Sequence, residues 1–154
     1  MMLIASMGAT AALAYGVPAS PFSQPRNIIG GHVLSAMAGV TAYQVGAAAA
    51  CVLWRWLMCA GDGQVVVGLL GLPLWVAAPV AVGGGIFTME QTGTLHPPSA
   101  ATGLIAVIGG AGIHDLGYWY AVMPCGVGAT CMVAVGLVVN NLRGGAGSYP
   151  KYWL

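Results

Sequence analysis

The chain has 154 residues, of which 58% are hydrophobic and only 5% are charged. Soluble domains carry about 25% charged residues, so this chain lacks the charge to cover a water-exposed surface. The composition therefore excludes a soluble domain and predicts an integral membrane protein. The net charge is +1, and no basic run is present, so nucleic acid is excluded as a partner.

The first apolar run, residues 2–17, predicts a short helix that is marginal for crossing a bilayer. Neither a basic flank nor a clear cleavage site accompanies it, so no cleavable signal peptide is expected. Small residues recur every four positions along the run and share one face, which favours close helix packing: Gly8, Ala12 and Gly16. A polar connector with three prolines, residues 18–27, ends the helix.

A second helix is predicted from Ile28 to about Cys59, with Asn27 as its N-cap. The pair Ser35 and Gly39 again places small side chains on one face. Aromatic and basic side chains typical of a membrane interface stand near the end of this helix, namely Trp54, Arg55 and Trp56.

A third helical run, residues 64–92, contains Pro79 and the glycines 83–85, which predict a kink and a loosened segment. It is followed by the most distinctive stretch of the chain, His96-Pro97-Pro98. Proline has no N–H and clashes with the preceding turn, so two prolines cannot lie inside a helix, although the first turn tolerates them.

One helix therefore ends near Thr92, and another begins at Pro97 and runs to Gly109-Gly110. The second has about fourteen residues and a length of roughly 21 Å. A bilayer core is about 30 Å thick, so this element is predicted to be a half-helix or re-entrant segment.

The remainder predicts a loop at 111–117 with His114 and Asp115, and a last span at 118–140 that contains Pro124. An interfacial aromatic belt, Tyr118-Trp119-Tyr120, opens that span. In total we expect an all-α polytopic protein with about four spanning helices and one half-helix. Residues 1–140 would form a single transmembrane domain, and residues 141–154 a polar, glycine-rich tail.

A short internal resemblance links the two halves of the chain. Gly8-Ala9-Thr10-Ala11-Ala12-Leu13 is similar to Ala100-Ala101-Thr102-Gly103-Leu104-Ile105. Short or broken helices in corresponding positions of two halves indicate a transporter-type binding site. A chance match between glycine- and alanine-rich segments is the alternative.

Three blocks resemble the HPP family of integral membrane proteins. Residues 24–32, which read Gln-Pro-Arg-Asn-Ile-Ile-Gly-Gly-His, resemble one signature of that family. His96-Pro97-Pro98 with Ala101-Thr102 resembles the motif that names it, and residues 138–142, Val-Val-Asn-Asn-Leu, resemble its closing segment. The blocks keep the order of the family and cover nearly the whole chain.

The resemblance implies a multi-pass protein with about four spanning helices and a transport role, and plastid and cyanobacterial relatives are linked to nitrite. Measured against the family pattern, we expect the usual first hydrophobic helix to be missing from this chain. It also has Glu90 before the motif and Ser99-Ala100 after it.

Two predicted helix starts carry the candidate substrate-binding residues. A helix N-terminus offers unpaired N–H groups and about half a positive charge, so it attracts anions. The candidates are Arg26, Asn27 and His32 at one start and His96 and Ser99 at the other, with Pro97, Pro98, Gly30 and Gly31 as structural positions. The alternative is ordinary capping, with Arg26 reaching lipid phosphate.

Two ionisable residues have open roles. His32 is interpreted either as a lone histidine that hydrogen-bonds a neighbouring helix or as a proton-coupling group. Glu90 is either solvated at the interface or a charge partner of Arg26 or His96.

No nucleophile–base pair, phosphate loop or cysteine pair is present, so we expect no catalytic residue, cofactor or metal. Two functions remain open: a transporter or channel-like module for a small anion such as nitrite, or a structural subunit of a larger organellar inner-membrane complex. The expected partners are membrane lipids, other membrane subunits or a second copy, and a small anion. A mitochondrial or plastid inner membrane is favoured over a bacterial one.

Overall fold

A computed structural model describes residues 5–57, 74–142 and 148–153, with side chains for residues 5–44, 77–142 and 148–153. Every regular element in these ranges is helical, as the composition predicts. In chain order they are α1 (Ala5–Gly16), a 3-10 turn (Pro21–Ser23), α2 (Pro25–Leu57), α3 (Leu74–Thr92), α4 (Pro97–Ile108), α5 (Ala111–His114), a π-helical turn (Ala121–Gly126) and α6 (Val127–Leu142).

Helix α2 begins at Pro25, two residues before the predicted cap. The first helical hydrogen bond joins Ile28 N–H to Gln24 O at 3.0 Å, because proline fits the first turn of a helix. Asn27 is therefore not the N-cap, and that prediction is wrong. Its side chain instead donates to the carbonyl of Leu95 at 2.9 Å.

The predicted break before the proline pair is confirmed: α3 ends at Thr92 and α4 begins at Pro97. Gly93 adopts a φ of 63°, and Thr94 N–H bonds to Met89 O at 2.9 Å. This is the usual way in which a left-handed glycine closes a helix. The end of α3 is thus fixed before the prolines are reached.

Helix α3 remains continuous through Pro79 and the three glycines, so the predicted loosening there is wrong. Gly85 instead makes room for a neighbour, since a Cβ on it would lie 2.7 Å from Ser35 Oγ. Glycine here serves close packing of α3 on α2 rather than flexibility.

Small residues make the contacts at the centre of the fold. Helix α2 packs on both α3 and α4, and Ser35 and Gly39 are buried in that contact. The face of Gly8, Ala12 and Gly16 on α1 is exposed instead, and a Cβ on either glycine would meet nothing within 4 Å. The small-residue face on α1 therefore takes no part in packing among the described residues.

The segment after α4 differs from the sequence prediction. Residues 111–114 form one helical turn, where a loop was predicted. The ring of His114 stacks on that of Tyr43, with centroids 3.7 Å apart. Tyr118 and Trp119 are exposed, as a belt requires, whereas Tyr120 is fully buried. The belt at 54–56 lies outside the described side chains.

The tail returns to the start of α2. Tyr149 is buried and its hydroxyl donates to Ser23 O at 2.8 Å, while Lys151 N–H donates to Gln24 Oε1 at 2.9 Å. Asn140 on α6 donates to Ala14 O on α1 at 3.0 Å. The segments 17–24, 93–96 and 148–153 therefore share one end of the bundle, which we call the connector end.

One helical stretch in the described ranges is long and apolar enough to cross a membrane, namely Ala121–Leu142 with 22 residues. Its helix is interrupted at Met123, which has non-helical dihedrals before Pro124. Helix α4, with twelve residues, is apolar but shorter, close to the predicted length of about fourteen residues. Its half-helix or re-entrant placement in a membrane stays a prediction. The count of four spans stays a prediction.

Candidate functional site

Helices α2 and α4 begin side by side at the connector end. A Cβ on Gly31 would lie 2.8 Å from His96 Cβ and 2.9 Å from Ser99 Oγ. A Cβ on Gly30 would lie 2.9 Å from Thr94 Cγ2. The two glycines allow the first turn of α4 to lie directly against α2, so the two predicted helix starts do meet.

This contact brings together two histidines from separate signatures. The ring centroids of His32 and His96 are 5.3 Å apart at an interplanar angle of 58°, and both residues are fully buried. Thr10 on α1 lies between them, with its Oγ1 at 2.8 Å from His32 Nε2 and 3.0 Å from His96 Nε2. His32 therefore hydrogen-bonds a neighbouring helix, as the first of its two interpretations predicted, and it also has a second histidine beside it.

The hydrogen bonds continue beyond the rings in both directions. His32 Nδ1 lies 2.8 Å from Thr102 Oγ1, which lies 2.8 Å from Ser6 Oγ. His96 Nδ1 donates to the carbonyl of Phe22 at 2.7 Å. We call Ser6, Thr10, His32, His96 and Thr102 the buried polar network. Each of the five is at most 3% exposed, so the network is shielded from solvent.

The other candidate residues support the junction between the helices. Arg26 is exposed, and its Nη2 donates to Thr92 O at 2.8 Å, where its charge complements the carbonyl end of α3. Ser99 Oγ donates to His96 O at 2.6 Å and lies 2.9 Å from Met89 Sδ. Pro97 and Pro98 have no N–H, and Ser99 N–H bonds to His96 O at 3.0 Å. The start of α4 therefore presents fewer free donors than we predicted.

The start of α2 differs in this respect. Its first intrahelical bond is made by Ile28, so the N–H groups of Arg26 and Asn27 are those that a helix leaves unpaired.

Glu90 is exposed and forms no ion pair with any residue whose side chain the structure describes. Its exposure fits the solvated alternative, and its role as a charge partner stays a prediction.

Sequence reasoning missed the hydroxyl members of the network. Thr10 and Thr102 occupy the same position in the two resembling segments of the chain, and they bond to opposite nitrogens of His32. That short internal resemblance was the available signal. No sequence signal pointed to Ser6 or to the carbonyl of Phe22. Their roles depend on how α1 and the turn at Pro21–Ser23 pack against the start of α4.

Metal binding finds no support among the described side chains, where no three histidine, cysteine, aspartate or glutamate residues converge. Cys125 is buried and Cys131 exposed, and both are free thiols. Ser35 Oγ, between α2, α3 and α4, is the one buried side-chain atom in the described ranges that lacks a hydrogen-bond partner.

Comparisons with known proteins agree with the residue patterns. The model of a family described as "HPP, transmembrane region" matches residues 1–150. A transmembrane protein of Dictyostelium discoideum is 36% identical over 152 residues, which cover 99% of this chain and 45% of that protein. A second one from the same organism is 31% identical over 153 residues, covering 99% and 42%. The chain thus spans less than half the length of these relatives, and no solved structure matches it.

Proposed function

Since the chain belongs to the HPP transmembrane region family, we propose that it is a membrane transport module for a small anion such as nitrite. The observation that carries the proposal is the buried polar network inside a chain that is 58% hydrophobic. Polar and ionisable groups between membrane helices are costly and mark substrate and ion pathways. Two rings and three hydroxyls in one continuous cluster fit such a pathway.

An anion is favoured by the charge at the connector end. Helices α2 and α4 both direct their positive N-terminal ends toward this region. The unpaired N–H groups of Arg26 and Asn27 and the exposed guanidinium of Arg26 stand at its rim. A guanidinium binds planar oxyanions through parallel N–H bonds. Among the residues that the structure describes, Arg26 is engaged through Nη2, which donates to Thr92 O. An oxyanion would first be bound here.

A second function is favoured by a different surface. The face of Gly8, Ala12 and Gly16 on α1 is exposed, and small residues let helices of separate chains approach closely in lipid. The chain would then be a structural subunit of an organellar inner-membrane complex, in a mitochondrion or plastid. The Ser35 and Gly39 face does not contribute to this alternative, because it is buried within the chain.

Nitrite uptake by the purified full-length chain in liposomes tests the proposal. We expect uptake in wild-type vesicles that exceeds uptake in empty ones. The variant His96→Asn should reduce it, while Thr130→Val, on the exposed face of α6, should not. Well-folded protein without flux, purified together with stable membrane partners, would favour the structural subunit.

A further inference from the structure

The direction of the hydrogen bonds in the buried polar network is fixed at one end. His96 Nδ1 lies 2.7 Å from the carbonyl oxygen of Phe22, and a carbonyl only accepts, so Nδ1 carries a hydrogen. An uncharged imidazole has one N–H group, so His96 Nε2 is an acceptor. Its partner is Thr10 Oγ1 at 3.0 Å, although the carbonyl of Ser6, at 3.1 Å, is a second acceptor for the Thr10 hydroxyl. That carbonyl also accepts the N–H of Thr10 within α1, whereas His96 Nε2 has no other donor among the described residues. The hydrogen of Thr10 therefore points to His96.

The same counting fixes the other bonds. A hydroxyl has one hydrogen, and that of Thr10 is used on His96, so Thr10 accepts from His32 Nε2–H at 2.8 Å. His32 Nδ1 then accepts from Thr102 O–H, and Thr102 accepts from Ser6 O–H, each at 2.8 Å. In the uncharged network every bond points from Ser6 toward the carbonyl of Phe22.

We propose that the network is a binding site for one exchangeable proton, which is held on His96 after the direction of the bonds reverses. A hydronium ion gives its proton to Ser6 Oγ, the least buried member of the network at 3% exposed, and is left as water. Ser6 passes its own hydrogen to Thr102. Thr102 then protonates His32 Nδ1. His32 releases its Nε2 hydrogen to Thr10, and Thr10 passes its hydrogen to His96 Nε2.

The transfer balances at every atom. Each of the first four groups gains one hydrogen and loses one, and His96 gains one and becomes the cation. All four bonds between the side chains keep their heavy atoms and reverse their direction. The bond from His96 Nδ1 to Phe22 O stays as it was, so both states leave each ring nitrogen with a hydrogen-bond partner.

The network takes up one extra proton and not two, because a second positive charge on His32 would lie close to the first one on His96. The rings of His32 and His96 are 5.3 Å apart between centroids, and like charges at that distance disfavour each other's charged form. The four charged side chains that the structure describes are all exposed: Arg26, Glu90, Asp115 and Lys151.

The other titratable groups on the elements packed around the network are phenols, thiols and one further imidazole. Tyr120 is the one that touches it, through a hydrogen bond from its hydroxyl to Thr102 O at 3.2 Å. The others whose side chains are described are Tyr15, bonded to Met132, Tyr43 and His114, stacked on each other, Tyr118, bonded to Thr41, Cys125 in the core, Cys131 on the surface, and Tyr149 and Tyr152 in the tail.

This proton site goes beyond the proposed function, and it would exist whether or not the chain carries an anion. Its test therefore uses the histidine side chains themselves and needs no uptake assay. A protein without nitrite flux can still show the proton site, and a transporter can lack it.

Nitrogen NMR of the full-length protein in lipid bilayers, with ¹⁵N-labelled histidine, reports each ring's tautomer and charge. The chain has three histidines, and the variant His114→Gln identifies the third. In alkaline buffer we expect His96 with its hydrogen on Nδ1 and His32 with its hydrogen on Nε2. On acidification His96 should become doubly protonated, and His32 should move its hydrogen to Nδ1 in the same step.

Variants of Thr10 test the link between the rings. In Thr10→Val the charging of His96 should no longer move the hydrogen on His32, whereas Thr10→Ser and Thr130→Val should behave as wild type. If Thr10→Val does not fold, the tautomers of His32 and His96 in the wild-type protein, measured before and after acidification, test the proposal without it. An uncharged His96 with its hydrogen on Nε2 would overturn the proposal. So would a His32 that keeps its tautomer when His96 charges, or two rings that charge together.

Discussion

The ring of His32 lies 5.3 Å from the ring of His96 inside the helix bundle. His32 stands in the first third of a long helix, and His96 directly precedes a short one. Thr10, from a third helix, bonds to both. Three helices thus converge on one polar centre, and removal of one hydroxyl there should affect both stability and transport.

The first prediction concerns Thr102→Val. Valine keeps the shape of threonine but removes the hydroxyl that bonds to His32 Nδ1 and Ser6 Oγ. A buried polar group left without its partner costs about 1–3 kcal/mol. We therefore expect the free energy of unfolding, measured in mixed detergent micelles, to fall by that amount.

Thr130→Val is the matched control for this change. Its hydroxyl donates to Gly126 O on an exposed face of α6, where a surface substitution changes stability by no more than about 0.5 kcal/mol. Equal losses in the two variants would show that the network contributes nothing specific.

The second prediction concerns the contact between α2 and α4. Gly31→Ala places a Cβ 2.8 Å from His96 Cβ, and such overpacking costs about 1–3 kcal/mol. Gly84→Ala, also inside a helix, meets nothing within 4 Å and should leave the unfolding free energy unchanged or slightly higher. A Gly31→Ala protein as stable as the Gly84→Ala protein would contradict the close approach.

The sequence predicted the helical class and both ends of α4. The proline pair leaves the backbone few choices at its start, and Gly109-Gly110 marks its end, with Gly109 as the C-cap. It placed the start of α2 at Ile28, with Asn27 as the N-cap, because a local capping pattern outweighed Pro25 in that interpretation. Pro25 nevertheless obeys the same rule as Pro97, since both fit the first turn of a helix. Of the two small-residue faces, only that of Ser35 and Gly39 is buried. Spacing alone does not distinguish a face that packs within the chain from one that stays exposed.

The candidate site was predicted in part. The two histidines and the two helix starts were singled out by their motifs, and they do meet. The interpretation that His32 hydrogen-bonds neighbouring helices is confirmed, since its partners are Thr10 on α1 and Thr102 on α4. Its closeness to His96 was not predicted, because that approach depends on tertiary packing. For the same reason Arg26, expected at a free helix start, also binds the carbonyl end of α3.

The third prediction tests whether Gly93 or the proline pair Pro97-Pro98 ends helix α3. Gly93 has a φ of 63°, and a side chain in that conformation costs about 1–2 kcal/mol. Gly93→Ala should therefore lower the unfolding free energy by that amount. The double variant Pro97→Ala, Pro98→Ala should not extend α3 through His96, because the helix already ends at Gly93. Accessibility labelling of a single cysteine at position 95 measures this, and a protected cysteine in the double variant would show that the prolines end α3.

The fourth prediction concerns the tail. Burial, with a contribution from Tyr15, raises the pKa of Tyr149 from 10.0 to about 12. Below pH 10 the phenol is neutral in the folded and unfolded states, so it adds no pH dependence. Between about pH 10 and 12 only the unfolded state ionises, so stability should fall as the pH rises through that window.

Tyr149→Phe is the test of that dependence. It loses the hydrogen bond to Ser23 O, worth about 1 kcal/mol, but its stability should no longer fall between those two pH values on account of this group. Tyr152→Phe, on an exposed side chain, is the control. The same alkaline loss in Tyr149→Phe and wild type would place the responsible group elsewhere.

The last prediction tests the anion at the connector end. Arg26→Gln removes the positive charge, and a hydrogen bond to a charged group contributes about 1.5–3 kcal/mol, so nitrite uptake in liposomes should fall about tenfold or more. Arg26→Lys keeps the charge and should retain much of the uptake, although it loses the parallel N–H geometry. Because Arg26 also bonds to Thr92 O, the unfolding free energy of both variants must be measured beside their flux. Lys151→Gln removes a charge at the same end of the bundle and should leave uptake near that of wild type. Equal losses in Arg26→Gln and Lys151→Gln, with uptake retained in Arg26→Lys, would indicate general attraction of anions by the connector end. Full uptake in a stable Arg26→Gln protein would remove Arg26 from the transport path.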